Sequence, residues 1–152
     1  MTTLPQETER KLGLVIDLDT CVGCHACVFS CKGWNTENYG APLSDQDAYG
    51  GNPSGTFLNR VHSYEVQPEQ GQAQLIHFPQ SCLHCDNAPC VTGCPTGASY
   101  KRADDGIVLV NESACIGGGL CAGACPYGAR ELDQAEGVMK KCTLCDDRIY
   151  ND

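Results

Sequence analysis

The chain has few of the residues that fill a hydrophobic core: three Phe, one Trp and two Met in 152 residues. So sparse a set implies a modest apolar interior, in one compact domain or two very small ones. No apolar run approaches the roughly 20 residues needed to cross a bilayer, so no membrane span is expected. Basic residues are scarce as well. Ten Lys and Arg against nineteen Asp and Glu leave a net charge of −9. That balance argues against nucleic acid as a partner, because phosphate backbones select clusters of Lys and Arg. It suits docking on a basic protein surface, and equally serves solubility. Residues 1–11 are polar, with Pro5 and four charges, so no secretory leader is expected.

What the chain has in excess is cysteine, thirteen in all. At that density covalent or metal staples stand in for core. An odd count does not close a disulfide framework, and disulfides are set aside as the reading.

The spacing of the cysteines is more informative than their number. Residues 82–126 read C-L-H-C-D-N-A-P-C-V-T-G-C-P, then a strand-like run, then C-I-G-G-G-L-C-A-G-A-C-P. Bacterial iron–sulfur ferredoxins use the run C-x2-C-x2-C-x3-C-P, in which the fourth cysteine ligates the other run's cluster. Cys82, Cys85, Cys90 and Cys94 follow it with two extra residues around Asn87-Ala88-Pro89. Cys115, Cys121 and Cys125 follow it with Gly118 where a cysteine is due. An uninterrupted run, Cys21, Cys24, Cys27 and Cys31, stands earlier in the chain. Zinc sites use two separated pairs, not four cysteines so close together. Cys142 and Cys145 read as the start of a fourth run, after which the full pattern would continue beyond Asp152. His25 and His84 lie inside runs whose thiol quota is already filled, and are read as non-ligands.

Short elements surround these runs. Residues 12–19 alternate apolar and acidic residues and are expected to form a strand leading into Cys21. Phe57–Val66 and Gln74–Phe78 read as strands, and Ala98–Lys101 with Ile107–Asn111 flank an Asp-Gly turn as a hairpin. Thr96-Gly97-Ala98 follows Pro95 as Tyr127-Gly128-Ala129 follows Pro126, an internal repeat. The expected fold class is α+β: duplicated ferredoxin-like units of short strands and helices around clusters, with a loop-rich insertion. Residues 12–31 with 140–152 form one expected unit and 82–139 the other. Residues 32–81 form the insertion, whose aromatics Trp34, Tyr39, Tyr49, Phe57 and Tyr64 are expected to order against a partner.

The phrases G-L-V-I-D-L-D-T-C-V-G-C-H-A-C, C-P-T-G-A-S-Y-K-R-A-D-D-G-I-V and A-C-P-Y-G-A-R-E-L-D carry a resemblance. The chain resembles the four-cluster iron–sulfur subunits of the complex iron–sulfur molybdoenzymes, the sulfite dehydrogenase type foremost. The resemblance covers 12–152 and implies a C-terminal continuation in which the missing ligands would stand. It implies a non-catalytic subunit that relays electrons between a molybdopterin catalytic subunit and an integral membrane quinone-reactive subunit, on the cytoplasmic side and peripheral to the inner membrane. A free-standing multi-cluster ferredoxin is the alternative.

The resemblance also implies ligand sets. Cys82, Cys85, Cys90 and Cys125 would hold one complete [4Fe–4S] cluster. Cys94, Cys115 and Cys121 would hold its neighbour with three thiolates. Cys21, Cys24 and Cys27 would take a fourth ligand from the continuation, and Cys31 would join Cys142 and Cys145. Up to three [4Fe–4S] clusters and one [3Fe–4S] cluster follow. Gly118 leaves three readings open: a cube lacking one iron, a cap of water or carboxylate, or an error in the sequence. The three-iron cube is the reading adopted.

Overall fold

A computed structural model describes residues 10–36 and 56–151. The chain divides into two compact units, one of residues 15–81 and one of residues 1–14 with 82–152.

In the unit of residues 15–81, helix α1 (Ala26–Asn35) is followed by an antiparallel hairpin of β1 (Asn59–Val66) and β2 (Gln74–Ser81). Helix α1 buries Val28 against Phe57 and Val61, the small core of this unit. Lys32 lies on the same face and is almost fully buried. Its ammonium donates to the carbonyl of Thr56 at 3.0 Å and sits 3.9 Å from the centre of the Phe57 ring, so the charge keeps two partners inside. The helix stops at Thr36, whose amide and hydroxyl both donate to the carbonyl of Lys32. The hairpin pairs Asn59 with Ser81 and Val66 with Gln74. Val61 and His62 are buried toward its base, while Tyr64 and Leu75 are exposed toward its tip.

The strand expected over 12–19 is not formed. Leu12 donates its amide to Asp105 at 3.0 Å, and the chain passes from one unit to the other just beyond, at Leu14–Val15. The Asp17 carboxylate then accepts from the amides of Asp19 and Thr20 and from the Thr20 hydroxyl, an alternative that closes a turn instead of a ladder. Of the aromatics expected on a partner surface, Phe57 is instead core, Trp34 and Tyr64 are exposed, and Tyr39 and Tyr49 lie outside the described residues.

The unit that contains residues 82–151 is built from short pieces. Helix α2 (Pro89–Thr92), opened by Pro89, packs against helix α3 (Leu120–Ala124) and against the hairpin of β3 (Ser99–Lys101) and β4 (Val108–Val110). A second hairpin joins β5 (Glu131–Asp133) to β6 (Val138–Lys140), and helix α4 (Asp146–Tyr150) follows. The β5–β6 turn had a signal in Asp133 and Gly137: the Asp133 carboxylate accepts from the amides of Ala135 and Glu136, and Gly137 takes a left-handed backbone. Between β4 and Cys115 a single 3-10 turn, capped by the Asn111 side chain, aims the third cysteine run. The order of strand, run and short helix therefore stands before and after Cys115, but not around Cys21. The main core cluster of this unit is Ala88, Cys90, Val91, Val108, Cys121 and Met139, and with the buried Cys94 three cysteines are themselves core residues.

Asp105 closes the β3–β4 turn. It is buried and accepts from Arg102, from the Ile107 amide at 3.0 Å and from the Tyr150 hydroxyl at 2.7 Å. Arg102 also donates to Asp146 at 3.0 Å, so helix α4 is tied to the hairpin at both ends. The Arg102 guanidinium, opposed by burial and helped by Tyr150 and the Ile107 amide, holds the Asp105 carboxyl at about 2.

Candidate metal centres

All thirteen cysteines are free thiols. The four run openings, three of them Cys-x-x-Cys and the third Cys-x-x-Gly, fold alike. The residue in the third place is left-handed in each: Gly23, His84, Gly117 and Leu144, with φ of 67°, 47°, 64° and 58°. That turn folds the loop back on the first cysteine. In two of the four openings the third residue's amide donates to the first sulfur, His84 to Cys82 and Leu144 to Cys142, each at 3.4 Å. Other amides reach sulfur from outside the loops: Ser99 to Cys94 and Met139 to Cys115, also at 3.4 Å. Such donors favour the thiolate, the form that binds metal.

The second run and the last cysteine of the third converge. Burial pushes the Cys85 thiol up, and the nearby charges of Cys82, Cys90 and Cys125 push it further, with one backbone hydrogen bond opposing. Cys82, Cys90 and Cys125 thus lie within electrostatic reach of Cys85. Around them lie buried donors that spacing did not single out. Arg130 is buried and donates from Nη2 to Cys90 Sγ at 3.1 Å and to Ser99 Oγ at 2.6 Å. Lys141 is buried and donates to the Cys142 carbonyl at 2.6 Å. Desolvation lowers its pKa, and the neighbouring Cys82, Cys142 and Cys90 oppose that. His84, read from sequence as a non-ligand, accepts the Val108 amide on Nδ1 at 3.0 Å. Desolvation, aided by the charges of Lys141 and Arg130, lowers it to about 3, so its ring is neutral and its proton sits on Nε2. The one sequence signal for Arg130 was its place directly after the repeated Cys-Pro-x-Gly-Ala.

Cys94, Cys115 and Cys121 lie in the same unit. Cys115 and Cys121 both pack on the core that includes Cys90. Burial raises the Cys94 thiol, but donors from Ser99 and Thr96 outweigh it and the net shift is downward. Gly118 takes the place that Cys24, Cys85 and Cys145 occupy in the other openings. A Cβ built there meets only Ile116, at 3.8 Å, so room for a side chain exists. Gly117 differs: its Cβ would run into the carbonyl oxygen of Gly137. In the other unit, Cys27 and Cys31 lie one helical turn apart on α1, with Cys21 and Cys24 in the loop before it. Asn35 donates to Cys31 Sγ at 3.7 Å. Cys142 and Cys145 open helix α4.

These residues fit thiolate-held iron–sulfur clusters. Free thiols are grouped, amides point at sulfur, and the buried nitrogens His84 Nε2, Arg130 Nε and Arg130 Nη1 lack an acceptor. A group presenting inorganic sulfide inside the fold would supply acceptors. Among the described residues no three His, Cys, Asp or Glu converge as ligands of a single ion would. Thiolates that each hold a separate iron need no such convergence.

Two family profiles match, both described as a 4Fe-4S dicluster domain, over residues 20–98 and 73–152. The chain belongs to the 4Fe-4S dicluster family. Its relatives include a sulfite dehydrogenase subunit of Allochromatium vinosum, 60% identical over 91% of this chain and 58% of that protein. The thiosulfate reductase electron transfer subunit of Salmonella typhi is 42% identical over 86% of this chain and 60% of the relative. A tetrathionate reductase subunit of Salmonella typhimurium is 37% identical over 92% of this chain and 50% of the relative. The chain thus spans between half and three-fifths of the length of these relatives. This dicluster chain is ferredoxin-like in its short helices and hairpins, and the expected iron–sulfur chemistry holds.

Proposed function

We propose that this 4Fe-4S dicluster chain is the electron-transfer subunit of an oxidoreductase complex, relaying single electrons between a molybdopterin-containing catalytic subunit and a membrane subunit that reacts with quinone. Oxidation of a sulfur compound, sulfite foremost, is the reaction it serves. The single observation that supports this most is the group of Cys82, Cys85, Cys90 and Cys125, free thiols of which three lie near enough to Cys85 to act on its charge. The likeness to a sulfite dehydrogenase subunit supports the choice of substrate.

Bound clusters take up and return one electron with little structural change. The chain's own residues do the rest. The thirteen cysteines, Cys21 through Cys145, supply thiolates. Amides of His84, Ser99, Met139 and Leu144 hold negative charge on the sulfurs. Core residues Val91, Val108 and Met139 exclude water beside them. At Cys94, Cys115 and Cys121 the glycine at 118 leaves three thiolates, and a [3Fe–4S] cluster is the assignment. Attachment to the cytoplasmic face runs through the partner subunits in this reading. No described helix is long and apolar enough to cross a membrane.

The test is anaerobic purification of the full-length protein from its source membranes. Iron, acid-labile sulfide and molybdenum are expected to co-purify with it, and sulfite is expected to reduce its clusters. Zinc without iron and sulfide would end the cluster assignment. Recovery of an iron–sulfur protein free of molybdenum, accepting electrons as a diffusible carrier, would end the subunit assignment alone.

A further inference from the structure

The repeat Cys-Pro-x-Gly-Ala places Ser99 and Arg130 at equivalent positions, five residues after Cys94 and Cys125. Their backbones begin alike, with Gly97 and Gly128 both left-handed. Their side chains break the symmetry. Ser99 is small and neutral, and its amide donates to Cys94. Arg130 is long and cationic. It leaves its own repeat, with Nη2 donating to Ser99 Oγ and to Cys90 Sγ.

Arg130 is only 5% exposed, and its Nε and Nη1 are buried without an acceptor. Its partners are a thiol and a hydroxyl, with no carboxylate among the described residues. An arginine so placed is strongly destabilising unless a desolvated anion offsets it. Lys141, a second buried cation, opposes rather than compensates it. The anion available here is the thiolate set of Cys82, Cys85, Cys90 and Cys125 with whatever it holds.

Resting on the cluster assignment above, we propose that Arg130 sets the reduction potential of the cluster held by Cys82, Cys85, Cys90 and Cys125. Reduction adds one electron, drawn from a one-electron donor such as a neighbouring cluster, and makes or breaks no bond. The net negative charge of the cluster together with its thiolates grows by one. A fixed cation donating to Cys90 Sγ stabilises that reduced form more than the oxidised one, so the potential rises. Arginine side chains keep their charge at every accessible pH, so this contribution takes up no proton. The repeat thereby acquires an electrical asymmetry: one of two similar sites carries a buried cation on its thiolate, and the other carries serine in the same place.

The experiment uses the full-length protein in its complex, with Arg130→Met and Arg130→Lys beside the wild type. Iron and acid-labile sulfide are assayed first, then each cluster is titrated with dithionite and followed by electron paramagnetic resonance. With cluster content intact, one midpoint is expected to fall in Arg130→Met and to recover part-way in Arg130→Lys. The others should stay in place, and the Met shift should be the same at acid and alkaline pH. Intact clusters with every midpoint unmoved would overturn the proposal. Should both variants lose the cluster, wild-type protein labelled with nitrogen-15 at arginine decides. Pulsed resonance of the reduced cluster is expected to show coupling to that label, and absence of coupling would overturn it. Wild type devoid of iron and sulfide would instead refute the cluster assignment, and this inference with it.

Discussion

The Nδ1 atom of His84 accepts the main-chain amide of Val108 at 3.0 Å, joining the turn of the second cysteine run to the start of β4, beside the turn of the β3–β4 hairpin. Both residues are buried, and the bond fixes which nitrogen of the ring carries its proton. The turn that aims Cys82 and Cys85 is thereby braced by a strand as well as by its own His84 amide on Cys82.

Replacing His84 with Ala leaves the Val108 amide buried without an acceptor, which costs about 1–3 kcal/mol. Asn keeps an acceptor oxygen near the position of Nδ1, tolerates the left-handed backbone and should lose less. Chemical denaturation of the intact cluster-containing protein should rank wild type above His84→Asn and His84→Ala last. Equal stability of the Asn and Ala variants would show that the bond to Val108 contributes little.

Asp105 makes acid stability predictable in sign. Its carboxyl is held at about 2 in the folded protein, first by Arg102, against about 3.9 in an unfolded chain. A depressed folded value contributes stability that is fully present above the unfolded value and is lost as pH falls toward the folded one. The loss therefore falls between about pH 4 and pH 2 and amounts to on the order of 2 kcal/mol. Denaturation midpoints measured across that window should drop steeply in wild type and less steeply in Asp105→Asn. Tyr150→Phe, which removes one donor, should fall between the two.

Restoring the absent thiol tests the three-iron assignment. The backbone at Gly118 has ordinary torsion and an open Cβ direction. Gly118→Cys is expected to raise the iron content and to abolish the resonance signal of an oxidised [3Fe–4S] cluster. A variant with unchanged iron and unchanged signal would show that the site was never short of iron.

The neighbouring Gly117 is expected to be irreplaceable. Its left-handed φ of 64° and the approach of the Gly137 carbonyl leave no place for a Cβ. Gly117→Ala should cost on the order of 1–3 kcal/mol and deplete iron at the Cys94, Cys115 and Cys121 site. Gly123→Ala is the control: it lies within α3 with nothing within 4 Å of its Cβ. It should be neutral or stabilise by about 0.5–1 kcal/mol.

Much of the candidate site was legible from spacing because the opening of each cysteine run is a local turn, closed by a left-handed third residue. The expected β3–β4 hairpin appears around its Asp-Gly turn, and the two strands expected near 57–66 and 74–78 form as Asn59–Val66 and Gln74–Ser81, paired as a second hairpin that was not foreseen. Alternation misled at 12–19, because a strand exists only where a ladder partner does, and Asp17 offered its amides a closer one. Phe57 read as an aromatic that orders against a partner because nothing local showed that Val28 and Val61 would cover it.

By itself, then, the chain's sequence determined the chemistry of its metal centres: which thiols stand in which run, and that the third run lacks one at 118. Those are properties of short segments, set by turn geometry and ligand type. Only the tertiary structure decided what surrounds the thiols. Arg130 reaches Cys90 across 40 positions, and His84 reaches Val108 across 24. Contacts at such separations exist only once the hairpins and α2 have packed together, because a buried donor finds its acceptor in the folded interior and nowhere along the chain.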